Sequence, residues 1–144
     1  MISKTEFENF KKKFDVVSVF IENNEEILLL HRQDHKPQGN IWALVAGKVD
    51  NDEELADALV REIQEEIGLK FTPEECQYFE KYYVRYPEYD FIYHTFHLPL
   101  KERPTLNLNL EEHKDHRWLK PEEALKLDLI PDEDVCIKGF YNIV

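Results

Sequence analysis

The stretch from Gly47 to Leu69 constrains this chain more than any other. Glu53 to Ile67 reads as a helix that Gly68 stops. At about 100° per residue, Leu59, Val60, Ile63 and Ile67 fall on one apolar stripe that packs against a sheet. Glu62, Glu65 and Glu66 share a second arc, spaced i,i+3 and i,i+4. Each like-charge pair at that spacing costs about 0.2–0.5 kcal/mol, and the last turns of a helix disfavour anions. The ordinary reading is a solvated acidic face. A divalent cation would reverse both penalties, because Mg²⁺ takes hard oxygen ligands, keeps several waters and meets phosphate oxygens.

The flanking sequence predicts a sheet for this helix to cover. Val16–Ile21 and Ile27–Leu30 are short apolar runs either side of Glu22-Asn23-Asn24-Glu25, a hairpin signal. Pro37-Gln38-Gly39-Asn40 reads as a loop, Ile41 to Val49 as a strand, and Asp50-Asn51-Asp52 as a polar turn. Gln77–Tyr86 and Phe91–Leu98 look like long strands joined at Pro87–Asp90. Pro99–Asn109 is loop-like, and His116–Leu119 reads as a short strand. Pro121 opens a short helix, and Asp132–Tyr141 a final one. Strands with helices between and after them imply an α/β (α+β) fold, a sheet covered by helices. The 144 residues fit a single domain. Phe7, Phe10 and Phe14, at helical spacing, predict an N-terminal helical extension over residues 1–14.

Composition narrows the function. A net charge of −12 repels a phosphate backbone, so a nucleic-acid track is not expected. A small anionic substrate would need cations to screen it. No segment reaches the ~18 apolar residues of a membrane span, and Met1–Phe14, with Glu6 and Glu8, lacks the apolar core of a secretory signal. Cys76 and Cys136 match no zinc spacing and read as free thiols of a reducing, cytoplasmic setting.

The spacing itself decides between the acidic face and a metal site. Gly47, five residues, Glu53, seven residues, then Arg61-Glu62-Ile63-Gln64-Glu65-Glu66-Ile67-Gly68-Leu69 resembles the Nudix box, G-x5-E-x7-R-E-U-x-E-E-x-G-U with U aliphatic. All seven fixed positions match, a coincidence of about one in ten million per start if each residue type is near one in ten. The resemblance implies an α/β/α sandwich around a central mixed sheet, and a loop–helix–loop that binds Mg²⁺ or Mn²⁺ and grips a diphosphate. By position, Glu62 and Glu66 are the implied metal ligands. Glu65 shares the ion or relays to water, and the Gly47 carbonyl is a further ligand. Glu53 holds a metal-bound water or supports the helix through Arg61. The implied reaction is attack of water on one phosphorus of a phosphoanhydride.

Outside the box, Trp42-Ala43-Leu44-Val45-Ala46-Gly47-Lys48-Val49 and Glu112-His113…Trp118-Leu119 are similar to segments of the bacterial dihydroneopterin-triphosphate pyrophosphohydrolase branch. That likeness adds Glu112 to the metal site. Arg32, Lys48 and Trp42 are expected at the substrate, a small nucleotide-like molecule such as a nucleoside or pterin triphosphate. The aromatic group Tyr82, Tyr83, Tyr86, Tyr89, Phe91 and Tyr93 suits packing or an interface better than base stacking. The histidines form no zinc-like set and read as structural. Family members are often dimers, so the resemblance leaves room for a homodimer. Val45-Ala46 and Asp52 depart from the Pro-Gly and Gly common in the family, which weakens a carry-over to dinucleoside-polyphosphate hydrolases. Rival readings are a nucleoside diphosphate-sugar or dinucleotide hydrolase, a sensor that binds without cutting, and an isopentenyl-diphosphate isomerase. Sensors usually lose box glutamates, and all stand here. The isomerase needs a cysteine ahead of Gly47, where none occurs.

Overall fold

Ile27 to Leu30 are four consecutive buried residues, a pattern a strand shows only when both its faces are covered. The computed structural model, which describes residues 1–144, shows why. Its strands are β1 (Ile2–Ser3), β2 (Lys12–Asn23), β3 (Glu26–Arg32), β4 (Trp42–Ala43), β5 (Val45–Lys48), β6 (Gln77–Arg85), β7 (Asp90–Pro99) and β8 (His113–Leu119). The helices are α1 (Leu55–Ile67), α2 (Pro121–Ala124) and α3 (Glu133–Tyr141), with a 3₁₀ turn at Pro73–Glu75. The order β1-β6-β7-β2-β3-β4 forms one sheet, with β5 added on β2 and β8 on β3. β2 and β7 run parallel and the other pairs antiparallel, so the sheet is mixed.

Alternation along the strands sorts the core into two layers. Val17, Val19, Ile21, Leu28, Leu30, Phe96 and Leu98 face α1, which buries Ala58, Leu59, Ile63 and Ile67 against them. Phe20, Ile27, Leu29 and Phe91 face the other side, where Ala124 of α2 and Cys136 and Ile137 of α3 close the layer. The expected α/β/α sandwich is present. Fully burying one such aliphatic side chain stabilises the fold by about 1.5–3 kcal/mol, so both layers contribute. Cys76 and Cys136 are free and buried. No helix is long and apolar enough to cross a membrane.

The β2–β3 turn puts Asn24 and Glu25 at φ 57° and 66°, the left-handed pair of a tight hairpin that matches strand twist. Gly68, at φ 72°, ends α1 with its N–H on the Gln64 carbonyl.

Two expectations fail. Residues 1–14 form no helix. Phe7 lies under Arg85, Phe10 meets Tyr83 edge-on at 5.1 Å, and Phe14 already belongs to β2, stacked on Phe91 at 5.5 Å. Three aromatics at helical spacing thus serve three different partners, and Asn9 at φ 60° breaks any helix between them. The strand read over Ile41–Val49 is also two strands. β4 pairs with β3, while β5 turns away to pair with β2. That switch carries Gly47 and Lys48 under α1.

Candidate active site

The acidic face of α1 is organised by one guanidinium. Arg61 grips Glu53 with two hydrogen bonds, Nε to Oε2 at 2.9 Å and Nη2 to Oε1 at 3.0 Å. It also reaches Glu62 Oε1 at 2.9 Å, Glu65 at 3.3 Å and the Lys48 carbonyl at 3.0 Å. Glu53 stands before the helix, in a turn where its carboxylate also accepts the Asp50 N–H. Asp52, beside it, has φ 65°. This is left-handed geometry that glycine adopts without strain and aspartate tolerates. The Arg61 hydrogen bonds hold Glu53 below the ordinary carboxylate range.

Glu62 and Glu66 behave differently. Burial, and then the neighbouring Glu66 charge, push Glu62 up to about 7 despite Arg61. Glu62 packs its carboxyl against Gly47 so closely that a Cβ there would fall 2.0–2.4 Å from carboxyl atoms. Only glycine fits. Burial also pushes Glu66 upward, while His113 opposes it. Glu66 Oε1 lies 3.0 Å from His113 Nε2, and Oε2 accepts the Ala46 N–H at 3.3 Å. Glu65 is exposed.

Glu112 stands at the start of β8 and contributes charge repulsion at Glu66. Lys36 at 3.0 Å and Arg32 at 3.4 Å hold it, and the Lys36 contact keeps it below its usual range. Arg32 also donates to the Pro37 carbonyl at 2.8 Å. Lys36 went unnoticed in the sequence because a lysine in a polar loop carries no signal of its own.

A cavity of about 290 Å³ opens beside this face, near the small end of ligand pockets. Arg32, Gly47, Lys48, Glu66 and His113 form one part of its wall. Phe14, Tyr86, Tyr89, Phe91 and Tyr93 form another. Four of the six clustered aromatics read as packing therefore line a pocket. Tyr82 is core, and Tyr83 packs on Phe10. Lys48 lies 4.3 Å over the Phe14 ring. Trp42 does not reach the cavity. Its neighbours Ile41 and Ala43 do, and strand alternation turns Trp42 to the opposite side, where it stacks on His31 with ring centres 4.2 Å apart.

Sequence reasoning also missed Glu133. It lines the cavity, is 2% exposed, and accepts the Leu44 N–H at 3.1 Å and the Tyr93 hydroxyl at 3.0 Å. With no cation beside it, burial pushes it up to about 7. An acid in a first helical turn normally signals only favourable dipole placement. The one available hint was Pro131-Asp132-Glu133 opening the last helix.

No three His, Cys, Asp or Glu side chains already converge as a metal cluster. Arg61 occupies the middle of the acidic face instead. The donors nonetheless suit a hard cation in kind. Mg²⁺ is commonly held by one or two carboxylates, its own waters and substrate phosphates rather than by a closed protein cage. Glu62 and Glu66 are two half-buried, mutually repelling carboxylates beside a cavity that Arg32 and Lys48 also line.

Comparison with known proteins agrees with this geometry. The family model described as NUDIX domain matches residues 12–140. The chain is 33% identical over 134 residues to the CTP pyrophosphohydrolase of Escherichia coli (strain K12), covering 92% of this chain and 94% of that protein. The solution structure of the E. coli ORF135 protein superposes with a TM-score of 0.77 at 30% identity, over 96% of this chain and 95% of that one. The structure of the E. coli dihydroneopterin triphosphate pyrophosphohydrolase shares the fold at a TM-score of 0.74 and 20% identity, over 94% and 99% of the two chains.

Proposed function

The chain belongs to the NUDIX domain family, and on that premise we propose that it hydrolyses a nucleoside triphosphate to the monophosphate and pyrophosphate with Mg²⁺ or Mn²⁺. It is a Nudix hydrolase acting on pyrophosphate bonds of nucleotide-like substrates, and enzymes of this family generally use divalent metal ions. The observation that carries the finer reading is the cavity wall. It joins Glu66 and Gly47 of the box to an aromatic surface ending at Glu133.

Glu62 and Glu66 would hold the ion, with the Gly47 carbonyl, Glu65 and Glu112 as further oxygens. Bound there, the ion neutralises phosphate charge and acidifies water. The chain's own side chains do the rest. Arg61 fixes Glu53 and Glu62 in one arrangement, so little reorganisation is left for the reaction. Arg32 and Lys48 line the cavity as cations for a polyphosphate, which the net charge of −12 otherwise repels. Glu65, exposed on the same helix face, would pass the water's proton outward. Water adds to the α or β phosphorus, the P–O bond of the bridge between them breaks, and the leaving pyrophosphate or nucleoside monophosphate keeps the electron pair. Tyr86, Tyr89 and Phe91 offer ring faces to a base, and Glu133 offers an acceptor for a base N–H. A nucleoside triphosphate uses all of these features, and the CTP pyrophosphohydrolase of E. coli is a relative at 33% identity over 92% of this chain.

The test is product release across CTP, dCTP, other nucleoside triphosphates, nucleoside diphosphate-sugars and dinucleoside polyphosphates, with Mg²⁺ or Mn²⁺ and with EDTA. Pyrophosphate released from a triphosphate, and abolished by EDTA, is expected. Turnover of diphosphate-sugars or dinucleotides alone would replace this reading with the rival hydrolase. Metal-dependent release from nothing in the panel would overturn it.

A further inference from the structure

The segment that follows the long loop is fastened to the far end of the catalytic helix. Asn107 N–H donates to the Ile67 carbonyl at 3.0 Å, and Asn109 N–H donates to the Glu66 carbonyl at 2.9 Å. These are carbonyls that a helix end leaves without intrahelical donors. The chain then turns tightly, with both Glu112 and His113 N–H groups on the Asn109 carbonyl at 3.0 and 2.9 Å. β8 begins there, against a register shift at Arg32. The outcome is an imidazole, 7% exposed, whose Nε2 lies 3.0 Å from Glu66 Oε1.

Three observations separate this contact from ordinary packing. The ring spends its only side-chain hydrogen bond on Glu66, since Nδ1 is buried without a protein partner. An ionised carboxylate only accepts, so the contact is a hydrogen bond to it when Nε2 bears a ring proton. The opposite oxygen, Oε2, is held by the Ala46 N–H. Glu66 is thus clamped from two sides, by β5 of the box and by β8 outside it. A carboxylate clamped this way keeps one orientation and still has lone pairs to offer.

We propose that His113 is a positioning residue for Glu66, orienting its carboxylate for a divalent ion through the Nε2–H···Oε1 hydrogen bond. The assignment rests on the reading of Glu66 as a metal ligand and extends it to a side chain outside the box. Partners that orient a ligand in this manner are commonly worth about 10–100-fold in metal affinity or activity.

Mn²⁺ affinity measured by electron paramagnetic resonance tests it without turnover. His113→Leu, which fills the space but cannot donate, should weaken Mn²⁺ binding by about 10–100-fold. It should lower kcat while the nucleotide KM at saturating metal changes little. His113→Gln, whose amide can donate to Glu66, should recover most of both. Long-range proton–nitrogen spectra of the wild-type histidines should show the proton on Nε2 of His113, and this needs no variant to fold. A folded Leu variant with wild-type affinity and kcat overturns the proposal, as does a Gln variant no better than Leu, or a His113 proton found on Nδ1. Wild-type protein that binds no Mn²⁺ overturns the hydrolase reading with it, whereas wild-type binding with an unaffected Leu variant overturns this assignment alone.

Discussion

Two kinds of glutamate stand at this site, a group on the α1 face beside the cavity and Glu133 in the cavity wall, and they are held in opposite ways. On α1, Glu62 shares Arg61 with Glu53 and Glu65 and faces the charge of Glu66. On α3, Glu133 has no cation at all and is secured by a backbone N–H and a phenol. The first set is an excess of negative charge around one guanidinium, which on the proposed reading a divalent cation would complete. The second is a single carboxyl in a dry wall, and its environment governs whether it carries a proton. On the proposed reading, chemistry at the first is about charge, and recognition at the second is about hydrogen-bond direction.

The comparison breaks most decisively at Glu66. Glu62→Gln or Glu66→Gln should lower turnover by orders of magnitude with circular dichroism unchanged. Unaltered Mg²⁺-dependent activity would mean that α1 is only an acidic surface. Gly47→Ala tests the same side by shape, because the new methyl would displace the Glu62 carboxyl. A large loss of kcat is expected, and near-normal rates would show that Glu62 can move freely. Glu112→Gln should cost about tenfold, and Glu111→Gln, exposed beside it, should cost little. Equal small effects would remove Glu112 from the site.

Glu133→Gln sharpens the other side and should have the smallest effect on kcat. It should shift relative KM values among bases, read from competition between CTP and other triphosphates. It should also change how stability follows pH. Glu133 sits at about 7 in the fold, against about 4.3 for an open chain, so between those values the folded state holds more protons. Its favourable contribution is intact at low pH and is lost as pH rises through 7. Glutamine has no proton to lose. The variant should therefore melt several °C above wild type at pH 8 and close to it at pH 5. Parallel melting curves at the two pH values would show that Glu133 is not strained by its burial.

The two sides differ as much in legibility. Arg61, Glu62, Glu65 and Glu66 could be read from spacing, because a helix converts sequence separation into position on a face, whereas Glu53, which precedes α1, came from the resemblance to the box. α1 itself was clear, with its apolar stripe and glycine stop. Long-range pairing was not. That β5 leaves β4 to join β2 depends on contacts across the sheet, which no local window contains. The N-terminal aromatics misled for the same reason, since their spacing suited a helix while their partners lay on β6 and β7. Trp42, expected at the substrate, suited the pocket wall and the core beneath it equally, and strand parity set it in the core against His31. His113 and Glu133 look unremarkable in the chain and acquire meaning only from what folds against them.

The link from Asn107 and Asn109 to the end of α1 has a practical use. Those two amide protons sit on carbonyls of Ile67 and Glu66, so their exchange with solvent should follow the opening of that helix end rather than the motion of the loop that bears them. They form a built-in gauge of how firmly the turn that carries Glu66 is held, readable without substrate or label.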